Sequence, residues 1–147
     1  RLRLATKFGA THVINSSEKD VETEVRAIAG EGGVDVCIDN TGAPSVIDMA
    51  YRITRPQGKT VLVGVPNFKD NISIHSLPLH FGKTLTGSHG GDTQPTFDIP
   101  RYLNLFQAGK LKLSELVTDV FGLGEINHAI ARMRDGRLTG RCIIDLS

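Results

Sequence analysis

The stretch VDVCIDNTGAP, Val34–Pro44, decides the fold. Valine, cysteine and isoleucine crowd its first half without a regular polar alternation. Such a run reads as a parallel strand covered on both faces rather than a half-exposed antiparallel one. The strand stops at Asp39-Asn40-Thr41-Gly42, and a helix opens behind Pro44. In open α/β sheets ligands lie in the crevice outside such strand ends, so the stretch raises the question of what rests against it.

Ahead of the strand, SEKDVETEVRAIAGEGG places Val21, Val25, Ile28 and Ala29 on one helical face and stops on glycines. Behind the strand, PSVIDMAYRITRPQG puts Val46, Met49, Ala50 and Ile53 on one stripe, ended by Arg55-Pro56. KTVLVGVP is a second continuous apolar strand. NISIHSLPLHFGKTLTGSHGG gives a short alternating piece and a further strand around Thr84–Ser88. THVINSS supplies an earlier short strand at Thr11–Asn15. The pattern is β-α-β-α-β, half of a doubly wound parallel sheet. Right-handed crossovers then bring the ends Asn15, Asp39–Gly42, Val63–Pro66 and Ser88–Gly90 to one edge.

Past Gly91 the character changes. TQPTFDIPRYLNLFQAGK reads as a helix with Asp98 as N-cap, Pro100 in its first turn and Leu103 and Phe106 facing inward. A strand LVTDVF, a helix with Ile126, Ala129, Ile130 and Met133 at helical spacing, and a last strand RCIIDL follow. That last strand is expected to lack sheet partners, leaving Thr118–Ser147 mobile or packed on a neighbouring chain. At the other terminus, RLRLATKFGA enters in mid-helix without methionine and reads as part of a longer polypeptide.

The 147 residues carry a net charge of +1, with 39% hydrophobic and 22% charged residues. That balance, without a basic tract, offers nothing to nucleic acid or an anionic membrane. No apolar run approaches the roughly 20 residues that a membrane-spanning helix needs. The two cysteines, Cys37 and Cys142, sit in strand-like runs and read as buried thiols, which suits a cytoplasmic protein.

Two glycine-rich segments compete for a phosphate-binding role. FGLGEINHAIARMRDGRLTGRCIID has Gly122-x-Gly124 after a strand and Asp145 some 20 residues on. Its third glycine position holds Asn127, which reads as a glycine turn entering an amphipathic helix. GSHGGDT, Gly87–Thr93, could let backbone approach a ligand or be a flexible turn alone. It has no helix directly behind it to supply free N–H groups. Asp39 could hold a ribose hydroxyl or cap its own turn. His12, His75, His80, His89 and His128 show no ligand spacing, so no metal site is expected. No nucleophile–base pair is evident, and Arg141 alone reads as a surface cation.

Taken in order, LATKFGATHVIN, GGVDVCIDNTG, GKTVLVGVP, LTGSHGG, EINHAIARMRDG and GRCIID resemble the zinc-dependent alcohol dehydrogenases of the medium-chain dehydrogenase/reductase family, most of all the class III, glutathione-dependent formaldehyde dehydrogenase type. The resemblance implies an α/β fold: the later part of a doubly wound Rossmann sheet over 1–91, lacking its glycine-rich loop, and an α+β segment of the catalytic domain over 92–147. It implies NAD, or NADP, as cofactor, and hydride transfer with a small alcohol or aldehyde. Zinc belongs to the parent protein only, its ligands outside this chain, which is expected to be inactive alone.

Carried onto single residues, the resemblance places Arg1 near the adenosine ribose and Thr41 and Gly42 by the nicotinamide ribose. Val63, Gly64 and Val65 pass under the nicotinamide ring. Ser88, His89 and Gly90 face the carboxamide, and Arg141 reaches the pyrophosphate. A homodimer through the edge strand near Thr84–Ser88 is implied as well. The alternatives are a stand-alone folding or dimerisation module without useful nucleotide binding, and part of a zinc-free quinone reductase of the same superfamily.

Overall fold

The computed structural model describes all of Arg1–Ser147. It divides into two compact units, Ile14–Thr93 and Arg1–Val13 with Gln94–Ser147.

The Ile14–Thr93 unit is built on a three-stranded parallel sheet: β1 Val34–Asp39, β2 Thr54–Leu62 and β3 Thr84–Gly87, in the order β1-β2-β3. Helix α2, Val21–Ala29, begins where the Asp20 carboxylate accepts the Thr23 amide at 2.8 Å. This satisfies one of the donors that a helix start leaves free. (Helix α1, Leu2–Lys7, belongs to the other unit.) Helix α3, Pro44–Ile53, opens on proline, whose missing N–H costs nothing in a first turn.

The core of this unit is Ile47, Ala50, Tyr51 and Ile53 of α3 against the sheet. The expected stripe of Val46, Met49, Ala50 and Ile53 is therefore rotated. Val46 and Met49 are only half-buried, and Ile47 and Tyr51 take the inner positions. Late in β2, Thr60 is fully enclosed and its hydroxyl pairs at 2.9 Å with that of Thr54 at the strand's head, which in turn bonds the Ala50 carbonyl at 2.7 Å.

The run Val34–Asp39 is a parallel strand, but only one of its faces is covered. Asp39 is buried and Cys37 half-buried, while Val36 and Ile38 stand 55% and 64% exposed. Covering a sheet face takes an element laid across it. α3 packs on the sheet and α2 packs on α3, so the second face stays open. Thr11–Asn15 is not a strand, because it finds no ladder partner and β1 keeps a free edge. The segment Asn71–His75 is likewise irregular, and a short 3-10 turn over Leu77–Phe81 replaces a helix between β2 and β3. The break expected at Arg55-Pro56 survives as a bulge: pairing jumps from Val34 opposite Thr54 to Val36 opposite Lys59, and Gln57 adopts a φ of 65° between them.

In the other unit, β4 Val117–Gly122 and β5 Arg141–Asp145 form a two-stranded parallel sheet with α5, Ile126–Arg134, as the crossover. Phe121, Ala129 and Leu138 are its core, with Cys142 and Ile144 packed against them. The last strand is thus not without a partner. A strand–helix–strand unit closes on itself and pairs β5 with β4. Of the stripe on α5 only Ala129 is buried; Ile126, Ile130 and Met133 line a shallow apolar depression with Cys142 and Ile144.

Helix α4 runs Pro95–Gln107, one turn earlier than expected. Its N-cap is Gln94, and Asp98 lies inside the helix, where its carboxylate reaches back to the Gln94 amide at 2.9 Å. Pro100 consequently falls inside the helix, and Leu103 and Phe106 are 50% and 38% exposed rather than turned inward. The N-terminal helix α1 is tied to its unit by Lys7–Glu115, at 2.7 Å, and by the Arg1 guanidinium on the Leu138 carbonyl at 3.3 Å. No helix is long and apolar enough to cross a membrane.

Candidate functional site

Parallel pairing puts Asp39, Leu62 and Gly87 side by side, so three strand ends open on one edge of the Ile14–Thr93 unit. The first turn is organised by Asp39, which is 2% exposed. Its carboxylate accepts from the Thr41 hydroxyl at 2.6 Å, the Thr41 amide at 3.1 Å and the Gly42 amide at 2.9 Å. Of the two readings of Asp39, the local cap is the one the geometry shows. Burial alone would raise this carboxyl, but the Thr41 and Gly42 donors outweigh it and hold it below the usual carboxylate value. The neighbouring Cys37 thiol is pushed up, by burial first and by the Asp39 charge second.

The second turn fits into the first. The Asp39 carbonyl accepts the Val63 and Gly64 amides at 2.8 and 3.0 Å. Gly42 has a φ of +70°, and a Cβ built there would lie 2.6 Å from the Val65 carbonyl. One built at Gly64 would lie 2.2 Å from the Gly42 nitrogen. Backbone meets backbone at both positions, which only glycine permits. Val63 and Val65, 47% and 90% exposed, are left as a bare apolar shelf beside this contact.

The third turn closes the groove. The Ser88 amide donates to the Leu62 carbonyl at 2.9 Å, and the Ser88 hydroxyl accepts the Gly91 amide at 3.1 Å. Gly90 and Gly91 take φ values of +62° and +68°. The resulting open cavity, about 460 Å³, is lined by Val65, Gly64, Ser88 and His89, and also by Leu62, Pro66, Gly87 and Asp92. Pro66 belongs to the expected strand end Val63–Pro66, and Gly87 and Asp92 to the Gly87–Thr93 segment, but the resemblance assigns none of these last four a place against the cofactor. Leu62 and Gly87 are simply the final residues of their strands, which the register would have indicated.

The structure thus brings Thr41, Gly42, Val63, Gly64, Val65, Ser88, His89 and Gly90 to one edge. Arg1 and Arg141 lie in the other unit. Arg141 is exposed at the head of β5, and Arg1 is engaged with Leu138. In that unit the Gly122-x-Gly124 turn is closed by its own Glu125, whose carboxylate takes the Gly122 amide at 3.0 Å. It is a capped helix entry, not an open anion cradle.

An exposed flat shelf, an adjacent groove and strand-end backbone suit a planar heteroaromatic ring with a polar substituent, which is the nicotinamide end of a dinucleotide. For zinc the residues do not fit: no three His, Cys, Asp or Glu side chains converge anywhere in the chain.

The sequence model of the family described as zinc-binding dehydrogenase matches residues 1–108. The chain is 32% identical to alcohol dehydrogenase 1 of Pisum sativum, with 99% of this chain covered, and 33% identical to L-threonine 3-dehydrogenase of Pyrococcus abyssi, again over 99%. It spans 39% and 41% of the length of those two relatives. Among solved structures, benzyl alcohol dehydrogenase from Acinetobacter calcoaceticus superposes with a TM-score of 0.89 at 33% identity, covering 99% of this chain and 40% of that one. An alcohol dehydrogenase zinc-binding domain protein from Burkholderia ambifaria matches equally, with a TM-score of 0.89 at 34% identity over 99% and 39% of the two chains.

Proposed function

The chain belongs to the zinc-binding dehydrogenase family, with the Rossmann-like α/β fold of its nucleotide-binding domain, and from that premise we propose that it is the nicotinamide-holding portion of an alcohol or aldehyde dehydrogenase. The observation that carries this is the bare Val63/Val65 shelf at the aligned strand ends. Residues 1–91 then form the later part of the cofactor domain, and 92–147 return to the catalytic domain.

In this reading Val63 and Val65 support the nicotinamide ring, and Thr41 and Gly42 lie by its ribose. Ser88, His89 and Gly90 face the carboxamide, Arg141 serves the pyrophosphate and Arg1 the adenosine ribose. A guanidinium fork matches paired phosphate oxygens better than a point charge does. When bound, the cofactor, NAD in preference to NADP, supplies the hydride chemistry. The chain's own residues hold the ring flat, present one face and keep water from the other. The class III, glutathione-dependent formaldehyde dehydrogenase type is the narrower reading, and oxidation of the glutathione–formaldehyde adduct by the zinc-loaded parent protein tests it. The cytoplasm is the compartment we assign, on the two free thiols, Cys37 and Cys142.

A fluorescence titration of NADH against the purified chain tests the assignment. Saturable binding is expected, weakened about tenfold in Arg141→Ala, the usual scale for losing a charge-assisted hydrogen bond. Absence of saturation up to millimolar NADH would overturn it, leaving a folding module without useful nucleotide binding. The chain alone should form no NADH from alcohol, because it assembles no zinc ligand set; turnover by the chain would contradict that.

We also propose a homodimer through β3. This strand pairs with β2 on one side only, and an unpaired strand edge is a template for pairing with a second copy. The Ser88 amide turns to the Leu62 carbonyl, so the Gly87 amide faces the free edge, and a Cβ at Gly87 meets nothing within 4 Å. Sedimentation equilibrium should give a dimer mass for the chain and a monomer mass for Gly87→Pro. A monomer for the unsubstituted chain at high micromolar concentration would reject the interface.

A further inference from the structure

Away from the strand ends, where β2 and β3 begin, the Ile14–Thr93 unit encloses a second cavity of about 320 Å³. Lys83, only 8% exposed, stands in its wall. The ammonium donates to the Thr54 carbonyl and lies 4.3 Å from the centre of the Tyr51 ring. An ammonium has three N–H donors, and one carbonyl answers one of them.

No carboxylate of the wall pairs with Lys83, and Arg26 also donates to the Glu31 carbonyl at 3.0 Å. Glu22 is bracketed by Arg26 at 3.0 Å and Arg52 at 3.1 Å, and Asp48 accepts the Ser73 amide at 3.0 Å. Three cations thus face two carboxylates, and the most buried of the three has no carboxylate of its own. Burial, and after it the charge of Arg26, lowers the Lys83 ammonium below the usual lysine value. A buried cation beside a second cation is costly unless an anion joins them. Ile74 and Pro78 complete the wall with apolar surface.

We propose that this cavity binds a small oxyanion, phosphate or carboxylate, between Lys83 and Arg26. The site is separate from the strand-end groove and does not depend on the nicotinamide reading.

Calorimetric titration of the full chain with inorganic phosphate and, in a second arm, with butyrate tests it, both in chloride at matched ionic strength. Phosphate saturating alone identifies a phosphate site; butyrate saturating alone identifies a carboxylate carried on an apolar tail. Lys83→Met is expected to weaken binding at least about tenfold. Arg26→Gln, at the partly exposed side of the cavity, reports independently should the lysine variant fail to fold, and is also expected to weaken binding. Lys110→Gln, which removes the same charge from the other unit, is expected to leave it unchanged. No saturable heat with either anion would overturn the proposal, and so would equal binding by the unsubstituted chain and Arg26→Gln.

Discussion

Gly64→Ala is expected to destabilise the Ile14–Thr93 unit by about 3 kcal/mol, the upper part of the usual range for overpacking. The added methyl would meet the Gly42 nitrogen at 2.2 Å and the Thr41 nitrogen at 2.5 Å. Both are backbone atoms, held in place by the Asp39 carboxylate, so neither can rotate away as a side-chain tip would. The two turns must separate, and Val63 and Gly64 then lose their bonds to the Asp39 carbonyl. Because whole domains are stable by only about 5–15 kcal/mol, this is a large fraction of the total. Gly32→Ala is the control: nothing lies within 4 Å of a Cβ there and its φ is ordinary. Urea unfolding of the two variants should separate them clearly, with Gly32→Ala near the parent. Equal midpoints would mean that the turns have slack and that the Gly42–Gly64 contact does not shape the shelf. If the shelf depends on that contact, NADH binding should fall with stability in Gly64→Ala and not in Gly32→Ala.

How far such contacts can be anticipated from sequence depends on whether a local or a distant partner decides them. The strand that stops at Asp39 and the helix that opens behind it on Pro44 follow from local rules and appear where those rules place them. The strand expected at Thr11–Asn15 is a different case. Its composition suits a strand, but a ladder needs a neighbour, and none pairs with it. Val36 and Ile38 look like residues covered on both faces, yet coverage depends on which helices lie across the sheet, and period and composition carry no record of that. At α4 the composition marks Asp98 as a cap, yet its carboxylate reaches back to Gln94 from four residues beyond the cap. Lys83 gave no sequence signal at all. A lysine between glycine and threonine at a strand entry is ordinary until Tyr51 and Thr54, some 30 residues earlier, fold around it.

Asp39→Asn should be the second most damaging change, and pH distinguishes it from a simple packing defect. The carboxylate is buried and receives three donors, two of them main-chain amides. An asparagine offers one carbonyl oxygen and turns an NH₂ group toward donors that need an acceptor. Hydrogen bonds to a charged group contribute roughly 1.5–3 kcal/mol and a buried orphan donor costs about 1–3 kcal/mol, so a loss of about 3 kcal/mol is expected at neutral pH. In the folded chain this carboxyl lies below its usual value, so the folded state binds its proton less readily than the unfolded chain does. The stabilisation is therefore complete above the ordinary aspartate value, about 3.9, and is lost as pH falls from there through the lower folded value. The difference in stability between parent and Asp39→Asn should be constant near neutrality and shrink as acid is added. Other carboxylates lowered on folding, such as Glu22, remain in both proteins and cancel in the comparison. A gap that persists undiminished at the acid end would show that the amide fails by shape rather than charge. The strand-end turn would then be held by fit alone, and the Asp39 charge would contribute nothing to it.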